Sequence, residues 1–153
     1  MKPNIFVTLK TLRFTTIFVV LIFLSCKTDP KSYLEFVNGY WEIEQVTFPN
    51  GEKKVYKYNE MIDYIEIKDN KNGFRKKMKP NLNETYSTSN DQESIEVKIE
   101  NDSLNFYYKT PFNSWKETVL SANESQLIIA LDNKVIYQYK RYQPIELKST
   151  ENE

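Results

Sequence analysis

The sequence predicts an all-β domain. It reads as an antiparallel up-and-down β-barrel of about eight to ten strands, preceded by a short N-terminal helix and a signal peptide. Three observations carry this. Apolar and polar residues alternate with a period of two from Tyr40 onward. Turn-forming Asn, Asp and Gly divide the chain at short intervals. No stretch beyond the first forty residues carries helical spacing, and closure into a barrel removes the free edges an open meander would leave.

The elements follow in order. Lys2, Lys10 and Arg13 precede the uncharged apolar run Phe14–Leu24, a length that suits a secretory signal and falls short of the ~20 residues of a membrane span. Lys27–Lys31 is a polar tether. "DPKSYLEFVNG" then reads as a brief helix, with Asp29 as cap, Pro30 in the first turn and Gly39 as stop. Its apolar side comprises Tyr33, Leu34, Phe36 and Val37. In the first strand Trp41 and Ile43 share one parity while Val46 and Phe48 share the other. A bulge near Glu44-Gln45 would return both pairs to the core.

Later strands alternate more simply. Ile95, Val97 and Ile99 form one face; so do Leu104, Phe106 and Tyr108, then Trp115 and Val119, then Leu127, Ile129 and Leu131, then Val135, Tyr137, Tyr139 and Arg141. Turns fall at Pro49–Gly51, Asn70–Gly73, Asn101-Asp102 and Asp132-Asn133, with Ser121–Glu124 as a longer loop. The chain has only 3 glycines, so Asn and Asp must supply much of the positive φ. Lys79–Asp91 is polar and loop-rich, with one short strand expected around Tyr86. The domain plan is therefore a signal peptide over residues 1–25, an anchor and tether over 26–32, a barrel over 33–147 and a tail over 148–153.

Two resemblances add to this reading. Phe23-Leu24-Ser25-Cys26 resembles the lipobox of bacterial lipoproteins, with Phe23 in place of the usual aliphatic residue. The resemblance implies cleavage before Cys26 and acylation of its thiol and new amine, hence attachment to a membrane through several chains. Cys26 is the single cysteine, so it has no disulfide partner within the chain. Lys27 in the following position leans toward the outer membrane. Gly39-Tyr40-Trp41, after a short helix and opening the first strand, resembles the Gly-x-Trp signature of the lipocalins and their calycin relatives. That likeness implies that Gly39, Trp41 and a basic residue of the last strand, Arg141, close one end of the barrel. In a pure meander Trp41 and Arg141 share an end only if the strand count is even. The plainest count is nine; treating Lys53–Tyr58 as a strand gives ten, and losing the Tyr86 strand gives eight.

Composition narrows function. Loss of Met1–Ser25 would take Lys2, Lys10 and Arg13 from 21 basic residues, leaving 18 against 21 acidic, so nucleic acid is not an expected partner. There are 0 histidines, which excludes Ser-His-Asp and Cys-His catalysis and zinc sites of Cys and His. No Gly-rich phosphate loop is present. No enzyme, cofactor or metal is expected. Aromatic residues make up 14% of the chain. Tyr64, Phe106, Tyr108, Trp115, Tyr137 and Tyr139 sit on strands, where they either line a pocket for a small apolar or amphipathic ligand or fill a solid barrel. Glu117 lies between Trp115 and Val119 on the presumed inner face. Buried there it needs a partner, a tyrosine or a lysine, and could orient a ligand; otherwise the face is wrongly assigned. "GFRKKMK" over Gly73–Lys79 is a local basic cluster that reads as a solvated strand edge, with contact to anionic headgroups or glycan as the alternative. The expected function is that of a lipid-anchored envelope binding protein. The competing reading is a solid barrel that binds a protein or glycan through its rim.

Overall fold

The computed structural model describes residues 29–68, 71–81, 85–132 and 134–144. The signal, the lipobox with Cys26, and the tail lie outside the described residues. A 3₁₀ turn, Pro30–Tyr33, runs directly into a single helical turn, α1 (Leu34–Val37). Asp29 caps the entry, its carboxylate accepting from Lys31 N–H at 2.9 Å. The helical segment begins at Pro30, directly after the Asp29 cap, as the sequence reading expects. Val37 is fully buried and Leu34 nearly so.

Ten strands follow among the described residues: β1 (Gly39–Thr47), β2 (Lys53–Val55), β3 (Ile62–Lys68), β4 (Asn72–Pro80), β5 (Tyr86–Thr88), β6 (Glu93–Glu100), β7 (Ser103–Lys109), β8 (Ser114–Ala122), β9 (Gln126–Leu131) and β10 (Val135–Arg141). Eight of them, in the order β1-β3-β4-β6-β7-β8-β9-β10, form an antiparallel ring closed by β10 against β1. The two short strands stand outside this ring. β2 pairs with the upper part of β1 alone, through Gln45–Thr47, and β5 pairs with the upper part of β4, through Met78–Pro80. Ten strands and an eight-membered ring are therefore both correct counts. The expectation that every strand pairs with its successor fails at β2 and β5, which are too short to span the barrel.

An even ring sets Trp41 directly opposite Arg141 in the β1–β10 ladder. The first-strand bulge falls where the parity change requires it, with Ile43 opposite Tyr139 and Gln45 opposite Gln138. It returns Val46 to the core, but Phe48 projects past the end of β1 and is exposed. A second bulge, at Leu120 in β8, has no sequence signal of this kind. Ile99 is exposed as well, near the foot of β6. The positive φ falls largely to Asn and Asp: Asn101, Asp102 and Asp132 have φ of 51°, 55° and 48°.

One end of the barrel holds the apolar core. Val37, Trp41, Leu104, Phe106 and Leu127 are fully excluded from solvent there, backed by Ile65, Ile95, Val119 and Ile129. The helical segment packs across this end against β3, β7 and β8 and closes it as a floor. The opposite end, bordered by the β2–β3, β7–β8 and β9–β10 loops, is the mouth.

Candidate functional site: a charged cup inside the barrel

The floor is built by a chain of short contacts. Trp41 Nε1 donates to the carbonyl of Val37 at 2.7 Å. The Arg141 guanidinium lies over the indole, its Cζ 3.7 Å from the ring centroid. Its nitrogens donate to Asn38 O and Phe36 O, both at 2.7 Å, and to Glu124 O at 3.0 Å. One arginine thus satisfies carbonyls at the helix end and in the β8–β9 loop. Gly39 has φ of +121°, and a Cβ there would meet Arg141 Nη1 at 2.6 Å. The Gly-x-Trp stretch is therefore fixed by backbone conformation and by the room the guanidinium needs.

Above the floor is an open cavity of about 500 Å³, within the range of small-molecule sites. Trp41 and Ile43 of β1, Trp115 and Glu117 of β8, and Tyr137 and Tyr139 of β10 reach it from three strands. Asp63 of β3, Arg75 and Lys77 of β4 and Leu131 of β9 complete the wall. Met61, Asn113 and Asp132 stand at the mouth.

The charges in the cup hold one another. Arg75 is 9% exposed and Glu117 5%. Arg75 Nη1 lies 3.2 and 3.4 Å from the two Glu117 oxygens, and Nε lies 2.5 Å from Glu93 Oε2. The guanidinium also stacks over the Tyr108 ring at 4.4 Å. Trp115 Nε1 donates to Glu117 at 3.2 Å, and Trp115 stacks on Tyr108 at 5.0 Å with the planes 4° apart. Opposite, Lys77 Nζ sits 2.6 Å from Asp63 Oδ1, an ion pair without hydrogen-bond alignment. Burial opposes the Arg75 charge, but Tyr108, Glu117 and Asp63 outweigh it and hold the pKa well above the ordinary guanidinium value. Burial pushes the Tyr108 and Tyr139 hydroxyls well above the ordinary tyrosine value, assisted by Glu117 and Asp63 respectively. The Tyr108 hydroxyl is buried with no hydrogen-bond partner of good geometry.

The structure sorts the residues the sequence proposed for a pocket. Trp115, Glu117, Tyr137 and Tyr139 line the cavity together. Tyr108 is buried behind Trp115, and Phe106 lies below, in the floor core. Tyr64 does not belong. On β3 the inward parity is that of Asp63, Ile65 and Ile67, so Tyr64 faces outward, against Tyr40 and Phe74, and donates to Glu66 at 3.0 Å. The ion-pair partner of Glu117 is an arginine, Arg75, rather than the expected lysine, and Trp115 is a second donor to it. The basic run of β4 is only in part a solvated edge: Gly73–Arg75 pairs with both β3 and β6 and Arg75 is buried in the cup, while Lys77 lines the cup but stays exposed, as does Lys79. Sequence reasoning missed Asp63, Arg75 and Lys77. Asp63 carried a signal, sharing parity with two isoleucines. Arg75 carried none, because Phe74 and Met78 made the other parity of β4 look like the core face. Among the described residues no cluster of three or more acidic residues could hold a metal, and no helix is long and apolar enough to cross a membrane.

A family model agrees with this architecture. A search of curated protein sequences finds no match. Among solved structures, the chain resembles a lipocalin-like protein from Bacteroides uniformis ATCC 8492, with 7% identity and a TM-score of 0.44 over 69% of this chain and 98% of that one. The family described as Lipocalin-like domain matches residues 37–129, from the buried Val37 into β9. The chain belongs to the lipocalin-like domain family.

Proposed function

We propose that this domain binds one small amphipathic molecule in the cup and does so as a lipid-anchored protein of the cell envelope. The observation that carries the binding reading is the open cavity of about 500 Å³ whose wall combines aromatic faces with paired charges, of which Arg75, Glu117 and Asp63 are buried. A wholly apolar ligand fits poorly, since it would strip remaining water from Arg75, Glu117, Asp63 and Lys77 and return no hydrogen bond. A polar head bearing both a donor and an acceptor matches the mixed charges, while the apolar body lies on Trp115, Tyr137 and Ile43. Binding rather than reaction suits these residues, for the one deeply inward carboxylate of β8 is held by Arg75 and Trp115. The anchor rests on the lipobox resemblance at Cys26, and its position at the outer membrane on Lys27.

Native mass spectrometry of the full chain, released from detergent, tests the ligand. A co-purifying or exchangeable amphiphile is expected, and its addition should change Trp115 fluorescence in a Trp41→Phe background. A chain that carries nothing and responds to no member of a panel of fatty acids, lysolipids and acylated amino acids would refute the cup as a binding site. Labelled fatty acid should enter the wild-type chain and not Cys26→Ser. Partner binding through the rim is favoured by one observation, Phe112 at the β7–β8 tip, which is 97% exposed. Photocrosslinking from position 112 in cells tests it by the appearance of a reproducible adduct.

A further inference from the structure

The outer wall of the barrel carries a chain of five aromatic rings. Phe74 contacts Tyr64 at 6.0 Å, Tyr64 contacts Tyr40 at 4.8 Å, and Tyr40 stacks on Tyr86 at 4.5 Å with planes 9° apart. Tyr142 then meets Tyr86 nearly at right angles, at 6.4 Å and 72°. Cross-strand pairing explains the first part, since Tyr40 and Tyr64 are register partners. It does not explain the last two rings, which line a groove of about 390 Å³ between the β2–β3 loop, β5 and the end of β10.

Several contacts fix that groove. Tyr142 N–H donates to Tyr40 O at 3.0 Å, extending the β10–β1 ladder one residue past Arg141 and holding its ring beside Tyr86. Tyr86 is set by its register against Pro80. Glu42 lines the same groove and is held by Lys140 at 3.1 Å and by Asn59 Nδ2 at 3.1 Å, while Asn59 also donates to Ile43 O at 2.8 Å. Lys79 pairs with Glu60. Tyr58 stands on its rim, 80% exposed.

We propose that this groove is a second binding site, outside the barrel, for a neutral carbohydrate. Tyr86 is backed by Tyr40 on one face, and Tyr142 forms a wall at right angles to it. A ring held in this way is a flat apolar platform with little entropy left to lose, which suits the C–H face of a pyranose. The surrounding groups are two carboxylates (Glu42 and Glu60), three amides (Asn59, Asn81 and Gln143) and three ammonium groups (Lys57, Lys79 and Lys140), which can serve hydroxyls as acceptors and donors. Of the three lysines, Lys140 and Lys79 are each paired with a glutamate, so Lys57 alone adds positive charge to the groove and the field on a phosphate or sulfate is that of one exposed ammonium rather than a cluster. A purely apolar ligand would have to desolvate both ion pairs. The site is independent of the cup, which lies on the opposite side of the β1 and β10 wall.

Saturation-transfer NMR on the full chain in a sugar-free detergent, with cellobiose, maltose and chitobiose as probes and glucose 6-phosphate as the anionic control, tests this. Transfer to at least one neutral disaccharide is expected, strongest at the protons of one ring face and exceeding that to the phosphate. Tyr142→Ala should weaken binding about tenfold, the loss of one aromatic face, and Tyr142→Phe should retain it. Because Tyr142 lies at the end of the ladder, circular dichroism should show both variants folded; Tyr58→Ala, at a loop position, provides a second reduction if Tyr142→Ala is not. No transfer from any of the three disaccharides overturns the proposal, as does transfer undiminished in both alanine variants or confined to the phosphate.

Discussion

The two ends of the barrel handle charge in opposite ways. At the floor, Arg141 gives its hydrogen bonds to main-chain carbonyls of the helix end and the β8–β9 loop, and its flat face to an indole. At the mouth, Arg75 and Lys77 are matched only with side-chain carboxylates and a ring face, beside open volume. Main-chain acceptors are fixed by the fold and cannot be exchanged. Side-chain partners can shift when another polar group arrives. The floor is thus suited to holding the closed ring together, and the cup to accommodating a guest. This division is what the following experiments would break or sharpen.

The largest effect belongs to the floor. Trp41→Ala should cost about 3–5 kcal/mol, as for truncation of a fully buried large aromatic side chain, read as a shift of the urea midpoint at unchanged slope. A loss under about 1 kcal/mol would show that the floor does not hold the ring. In the cup, Glu117→Gln should destabilise by about 1–3 kcal/mol, less than for a fully enclosed pair because Glu93 still holds Arg75 and water reaches the cavity. The informative contrast is the double variant Arg75→Met/Glu117→Met. Removing both charges together should leave stability within about 1.5 kcal/mol of wild type while abolishing amphiphile binding. A double variant as unstable as Trp41→Ala would mean that the two ends do not differ in kind.

Alkaline pH provides a third comparison. The neutral forms of Tyr108 and Tyr139 are favoured in the folded state, so their folded pKa values lie above the unfolded one. The stability they contribute is fully present below about pH 10, the unfolded value, and is lost as the pH rises toward the folded values. Urea midpoints should therefore fall above about pH 10, and Tyr139→Phe should flatten that fall. A variant profile parallel to wild type would place the alkaline transition elsewhere. The smallest effect is expected at Tyr64, on the outer wall, where Tyr64→Ala should cost about 0.5–1.5 kcal/mol of aromatic pairing and leave amphiphile binding unchanged. Any loss of cup binding in that variant would contradict its outward placement.

Much of the fold was legible because it rests on local physics. Strand periodicity, the Asp29 cap and the Asn-Asp turns each depend on a few neighbouring residues. The bulge in β1 could be placed because the parity of Trp41 and Ile43 conflicts with that of Val46. The floor pair could be named from order along the chain. The cup was half legible. Glu117 read as inward because Trp115 and Val119 flank it, but its partner lies 42 residues away, on a strand whose apolar parity points outward. Tyr64 was misplaced because an aromatic ring on a strand suits either face. Two isoleucines, Ile65 and Ile67, and not the largest ring, set the inward side of β3.

The sequence by itself determined that this chain is a meander of short strands with a helical plug before the first, because periodicity and turn chemistry act within a few residues. Tertiary structure alone decided that eight strands close the ring while β2 and β5 stand outside it. It also decided that a run of lysines and an arginine turns two of its members into the barrel. The reason is the same in both cases. A strand's pattern fixes which residues share a face, but only the neighbours it meets in space fix which face is inside and which strands reach far enough to close.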